Sequence, residues 1–194
     1  MCGVLQGTSA VTFFELVHPE ESVRLDFVEM DQSVISVRSA VSADADAIAR
    51  IFLESAEYHA RLDPQRYSAP AFATMSARYR EGRQHPPQPD AQYITLVAEQ
   101  SGEIVGFIDA RLERSPDPMH RELIYCQIVE IAVSKRTQRR GIGARLLRAA
   151  EEWGRVHGAE FALLEYHAAN SHAREFYRRR MGYEVASITA IKLL

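Results

Sequence analysis

The chain has 194 residues, 46% apolar and 25% charged, with a net charge of −3. That length suits one domain with a real core, and so mild an acidic balance argues against general nucleic-acid binding, which needs a basic excess over a whole face. Two cysteines, Cys2 and Cys126, make neither a disulfide framework nor a metal-ligand spacing, and no apolar run approaches the roughly 20 residues of a membrane span, so the expectation is a reduced cytoplasm with no metal and no membrane partner.

Residues 1–32 carry Phe13, Phe14 and Phe27 without a helical or strand period, and are read as an N-terminal extension, disordered or a packing arm, ahead of a domain spanning 33–194. Val34 to Arg38 alternates like a strand. Ser42, Asp44 and Asp46 mark a helix start, with acids where the helix dipole favours them. Ile48, Ile51, Phe52, Ser55, His59 and Leu62 share one face of that helix, and Asp63-Pro64 ends it. Pro70 suits the first turn of a second helix with Phe72, Met75 and Tyr79 as its apolar stripe and Gly82 at its end. Residues 83–91 form a loop. Tyr93 to Glu99 and Ile104 to Leu112, joined through Gln100-Ser101-Gly102, predict a β-hairpin.

After a second loop at 115–118, Leu123 to Val133 reads as a long strand, followed by a basic glycine turn and a helix from Ala144 to His157. The helix turns Ile142, Leu146, Ala149, Ala150, Trp153 and Val156 inward, pairs Glu151 with Arg155 outside, and stops at Gly158. Phe161 to Tyr166 is a buried strand, Asn170 to Met181 a helix, and Tyr183 to Leu194 one or two closing strands. The elements imply an α/β sandwich around a mixed sheet, with a strand-helix-strand unit at its centre.

The turn is Gln138-Arg139-Arg140-Gly141-Ile142-Gly143. The first amides of a helix lack intrahelical partners, the dipole puts partial positive charge there, and glycines admit a phosphate close to the backbone, so the natural guest is a diphosphate. A nucleotide-triphosphate loop would require a lysine and a hydroxyl that are absent. A dinucleotide fingerprint would require a third glycine where Leu146 stands.

The pattern Gln138-x-x-Gly141-x-Gly143 after a strand, with Asn170, Tyr177 and Gly182-Tyr183 downstream, resembles the GNAT superfamily of N-acetyltransferases over roughly Val34 to Leu194. The resemblance implies a mixed, mostly antiparallel central sheet flanked by about four helices. It implies acetyl-CoA as co-substrate, with its diphosphate held by the backbone from Gln138 through Arg139, Arg140, Gly141, Ile142 and Gly143 to Ala144. The pantetheine arm would add to the edge of the preceding strand at Ile131, Ala132 and Val133, with Asn170 also in reach.

By the same resemblance, Tyr177 is the general acid that reprotonates the leaving thiolate, and Glu130 or Glu165 takes the proton from the attacking amine. The resemblance departs in one place: the tyrosine commonly stands four residues before the glycine, whereas Tyr177 precedes Gly182 by five. That implies an extra residue at the helix end. Tyr58 and His59, with Asp63 and Tyr67, fall where such proteins shape the acceptor pocket, although His59 also reads as a core histidine on the buried stripe. Arg178, Arg179 and Arg180 read as a solvated helix face.

The expected activity is transfer of an acetyl group to a primary amine of a small molecule or peptide by direct attack in a ternary complex. The alternatives are a non-catalytic acyl-CoA-binding regulatory module and a ribosomal-protein N-terminal acetyltransferase. A homodimer is compatible with either. The acceptor itself is not legible, because a fold resemblance does not carry substrate identity.

Overall fold

The computed structural model describes residues 34–81, 92–114 and 121–192; the N-terminal extension, Gly82 and the loops at 83–91 and 115–118 lie outside the described residues. Five strands form one sheet in the order β1 (Ser36–Ser39), β2 (Tyr93–Gln100), β3 (Glu103–Arg114), β4 (Ile124–Val133) and β5 (Phe161–Leu164). The first four run antiparallel and β5 lies parallel to β4. Four helices accompany them: α1 (Ala45–Leu62), α2 (Phe72–Glu81), α3 (Ile142–Val156) and the short α4 (Ser171–Glu175). The mixed, mostly antiparallel sheet with about four helices is therefore the architecture observed.

Helices cover both faces of the sheet. On one, Ala45, Ile48 and Ile51 of α1 and Met75 and Tyr79 of α2 pack on Val97, Phe107 and Ala132. On the other, Ile142, Leu146, Leu147 and Ala150 of α3 pack with Tyr177 on Leu96, Ile108, Cys126 and Ile128. Double coverage explains why β2 and β3 carry unbroken buried runs rather than an alternating pattern.

The start of α1 is tied to β1. A single 3-10 turn (Ser42–Asp44) precedes the helix, the Val41 amide donates to Asp44 Oδ2 at 2.8 Å, and the Arg38 guanidinium reaches both Asp44 oxygens at 2.8 and 3.0 Å. Asp63 ends α1 as expected.

Several expectations need correction: Val156 of α3 is exposed, Arg155 pairs with Glu152 rather than with Glu151, which accepts from the Tyr183 hydroxyl, and β5 is only half-buried, with Phe161 exposed. The residues from Tyr183 to Lys192 form no strand; Val185, Ile188 and Ile191 stand exposed, because strand propensity yields a strand only where a neighbouring ladder accepts it, and the ladder stops at β5. The buried face of α2 is Met75, Ser76 and Tyr79, while Phe72 at its first residue is exposed and lies under the Arg50 guanidinium at 5.6 Å. Pro70 accordingly precedes the helix rather than sitting in it.

Helix α3 approaches β4 at Gly154, where an added β-carbon would lie 2.5 Å from Cys126 Cβ. Alanine is the better helix former by about 0.8–1 kcal/mol, but overlap with a buried β-carbon that cannot swing away costs about 1–3 kcal/mol. Gly154→Ala is therefore expected to lower the midpoint of urea unfolding. A raised midpoint would show that α3 and β4 separate without penalty.

Candidate active site

The site begins with a defect in the sheet. The β3–β4 register runs Asp109 to Glu130 but Ala110 to Ile128, leaving Val129 as the extra residue of a β-bulge. Bulges bend a strand and increase its twist. Here β4 pairs with β5 only from Tyr125 to Ile128 and then continues alone to Val133. The Ser134 amide donates to the Val105 carbonyl at 2.9 Å. Alternation along an antiparallel ladder then turns the backbone groups of Ile131 and Val133 away from β3, toward the edge that β5 has left. Ala132, between them, is buried and points its backbone at Phe107. The Val133 carbonyl already accepts from the Gln138 side chain at 3.2 Å.

That open edge leads into the α3 N-terminus. Arg139 and Gly141 both have left-handed backbones, with φ of 65° and 81°. Such alternation gathers successive N–H groups into a concavity that favours anions. The first intrahelical bond runs from the Arg145 amide to the Gly141 carbonyl, so the amides of Ile142, Gly143 and Ala144 have no acceptor within the helix. Arg139 and Arg140 are exposed beside it. Gly143 faces Phe176 and Val133 at ordinary contact distance, so its lack of a side chain is not required by crowding. A chain of exposed strand amides ending at an anion cradle fits a long coenzyme carrying two amides and a diphosphate.

Glu130 and Tyr177 flank the open stretch from opposite faces of the sheet. Glu130 lies on the α1/α2 face, where it accepts from Ser55 Oγ at 3.4 Å. Burial first, and the charge of Asp109 second, push its carboxyl up to about 7, against the Ser55 bond and Arg78. Tyr177 is buried on the α3 face among Tyr166, Phe176 and Tyr183. Its phenol is pushed up to about 12 by burial and then by Glu130. Its hydroxyl has no hydrogen-bond partner among the described residues, an unusual state for a buried polar group.

The helix end carries the extra residue that the spacing implied. α4 passes into a π-helical turn (Phe176–Arg180), marked by the Met181 amide bonding the Phe176 carbonyl at 3.2 Å, and Gly182 closes it with φ of 77°. The added residue is absorbed between Tyr177 and Gly182, after the tyrosine is placed. Insertions of this kind recur at functional sites.

Asn170 caps α4, its Oδ1 accepting from the Ala173 amide at 3.0 Å and from the Tyr58 hydroxyl at 3.4 Å. That leaves its amide nitrogen available to a ligand. Tyr58 is thereby held to the β5–α4 segment. His59 is half-buried, with Nδ1 on the Ser55 carbonyl at 3.0 Å and its ring between Tyr58 and Tyr67. Glu165 is exposed just past β5, with no ion-pair partner among the described residues. Glu130 and Tyr177 thus lie on opposite faces of β4, Tyr58 and Asn170 are joined by a hydrogen bond, and Glu165 stands exposed past the end of β5.

Sequence reasoning missed a polar group beneath Glu130. Asp109 is 1% exposed and accepts from the Thr95 hydroxyl and, at 3.2 Å, from the Tyr79 hydroxyl. The available signal was a lone carboxylate inside the apolar run Val105 to Ala110. It also missed His167, which stands 2.8 Å from Arg66 and 3.4 Å from Asp63. Among the described residues no group of His, Cys, Asp or Glu is placed to hold a metal ion, and no helix is long and apolar enough to cross a membrane.

Residues 53–183 match the model of the acetyltransferase (GNAT) family. A Bacillus subtilis (strain 168) protein, the uncharacterized N-acetyltransferase YhfO, is 29% identical over 150 residues, covering 77% of this chain and 90% of the relative. Among solved structures, a mutant of the BH1408 protein from Bacillus halodurans superposes with a TM-score of 0.73 at 19% identity, over 82% of this chain and 99% of the other. The structure of AAC(6')-Iy in complex with the bisubstrate analogue CoA-S-monomethyl-acetylneamine gives 0.60 at 17% identity, over 84% and 99%.

Glu130 makes stability depend on pH in a definite direction. Its folded carboxyl titrates at about 7 and its unfolded one at about 4.5, so across that window the folded chain keeps a proton that the unfolded chain has lost. Stability therefore falls as pH rises from about 4.5 to 7. Glu130→Gln removes that loss and is expected to be more stable than the parent by on the order of 3 kcal/mol at pH 8, with little difference at pH 4.5. Urea unfolding at the two pH values checks this, and equal differences at both would refute it.

Proposed function

The chain belongs to the acetyltransferase (GNAT) family, and we propose that it transfers an acetyl group from acetyl-CoA to a primary amine of a small molecule or peptide by direct attack within a ternary complex. The observation that carries this reading is the stretch of β4 beyond Ile128, free of β5 and running into the α3 N-terminus, with Glu130 and Tyr177 on its two sides. The thioester supplies the activated acetyl group.

Binding falls to the backbone. The amides of Ile142, Gly143 and Ala144, in the cradle set by Gln138 to Gly141, hold the diphosphate, with Arg139 and Arg140 adding charge. Ile131 and the Val133 amide add the pantetheine arm as a strand would be added, and the free Asn170 amide reaches the same arm. The named complex of AAC(6')-Iy with a coenzyme A–neamine conjugate supports an amine as the acceptor class. Tyr58 and His59 line the acceptor side.

Proton movement falls to two side chains. A primary amine with a pKa of about 10.4 is protonated at neutral pH and must lose a proton before it can attack. Glu130, with its affinity for protons raised by burial, accepts it, directly or through water; exposed Glu165 is not the acceptor in this reading. Tyr177 stays protonated until the carbon–sulfur bond breaks. The burial that raises its phenol also disfavours a free thiolate beside it, so the proton passes to sulfur.

Tyr177→Phe is expected to lower kcat by about a hundredfold or more, in keeping with the loss of a general acid, while calorimetric affinity for coenzyme A stays within about twofold. Thiol release over a panel of amines supplies the rate, and undiminished turnover on an acceptor used by the parent would remove Tyr177 from the mechanism. Gly141→Ala forces an L-residue into a left-handed backbone at about 1–2 kcal/mol and is expected to weaken coenzyme A binding about tenfold. Unchanged affinity there would mean that the cradle is not the diphosphate site.

A further inference from the structure

A row of polar side chains crosses the sheet under α1 and α2. The ladders set Thr95 opposite Asp109 and Asp109 opposite Glu130, so three neighbouring strands place a hydroxyl and two carboxylates side by side. Residues so opposed have β-carbons about 4.5–5.5 Å apart, and like charges there repel. Asp109 is fully buried, yet both its oxygens accept hydroxyl hydrogens, Oδ1 from Thr95 and Oδ2 from Tyr79. Hydrogen bonds to the charged form favour that form. Glu130 has one long bond from Ser55 and is the less completely buried of the pair. Repulsion between the two therefore falls on Glu130.

We propose that Asp109, clamped as a carboxylate by Thr95 and Tyr79 across the strand from Glu130, is a positioning residue that sets how strongly Glu130 takes a proton from the acceptor amine. The role builds on Glu130 as the proton acceptor, assigned above.

The groups facing Glu130 sort by element. Asp109 of β3 raises its proton affinity, as does burial; Ser55 of α1 and Arg78 of α2 lower it. Tyr79 of α2 and Tyr177 of the π-helical turn are phenols whose own titration Glu130 pushes up, so they face it uncharged. With Asp109 neutral, only burial would oppose Arg78 and Ser55. The benefit to chemistry is one of matching. A carboxylate at the usual value of about 4.3 lies about six pH units below an amine at about 10.4, and one near neutrality lies only about three and a half below it.

Carboxyl-carbon NMR of protein carrying 13C-labelled glutamate side chains tests this without an acceptor, with the Glu130 signal identified by its loss in Glu130→Gln. In the parent, Glu130 is expected to titrate near 7. Asp109→Asn, which keeps the shape and can still bond both hydroxyls, is expected to lower that midpoint by at least about one pH unit, and to move the acidic limb of kcat/KM the same way. Tyr79→Phe serves if Asp109→Asn does not fold: with one donor gone Asp109 competes for the proton, and the Glu130 transition broadens into two steps. A Glu130 midpoint unchanged in whichever variants fold overturns the proposal. Turnover of Glu130→Gln separates the two ideas. If it keeps full activity while Asp109→Asn shifts the midpoint, the coupling stands and the base assignment falls; if it loses activity while the midpoint stays fixed, the reverse holds.

Discussion

The bulge at Val129 is the constraint on which the site depends. An unbroken β4–β5 ladder would satisfy the backbone of Ile131 and Val133 internally and leave nothing for a ligand to pair with. One inserted residue ends the pairing at Ile128, and the parallel partner stops at Leu164. The cleft is thus made from backbone rather than from side chains. In the proposed function an extended, amide-bearing arm would be recognised by ladder geometry, which tolerates many sequences provided the register holds. The side chains proposed to move protons, Glu130 and Tyr177, each stand on a face already covered by a helix layer.

Burial on both faces of the sheet sets the chemistry of those side chains. Glu130 has α1 and α2 over it, and Tyr177 has α3 and its neighbouring aromatics around it. Both are moved in the direction that favours the uncharged form. For a base that is an increase in proton affinity, and for an acid it is retention of the proton until a stronger base forms. Under the proposed roles, one physical cause, removal of water, would prepare the two groups for opposite tasks. Glu165, the other carboxylate the resemblance offers, stands exposed just past the end of β5.

Much of this was legible in residue order. The hairpin showed in its Ser-Gly turn, α3 in its periodicity, and the left-handed turn that starts α3 in the glycines spaced after a strand. The π-helical turn was foreshadowed by a count: five residues from Tyr177 to Gly182 rather than four. Asp109 was hidden because its neighbours across the ladder, Thr95 and Glu130, are brought beside it only by register, which no local pattern encodes. The closing segment misled for the converse reason. Alternation at Val185 and Ile191 describes a residue set able to pair, and pairing depends on a partner edge that local sequence does not specify.

Several local features of the site run against the intrinsic preferences of the chain. Arg139 holds a left-handed backbone, the last turn of α4 is widened by one residue, β4 carries an unpaired bulge, and two carboxylates face each other across neighbouring strands. Strained or sparsely populated conformations cost of order 1–3 kcal/mol each, so they persist only where the surroundings over-determine them. The surroundings here are two helix layers locked onto β2 and β3, the most thoroughly buried strands. The bulge and the carboxylate pair lie on β4 and its neighbour β3, Arg139 in the turn after β4, and the π-helical turn begins at Phe176, next to Tyr177. In the proposed function these are the strand, the turn and the helix end assigned to the donor, so the cost of each would be borne where binding and proton transfer need it.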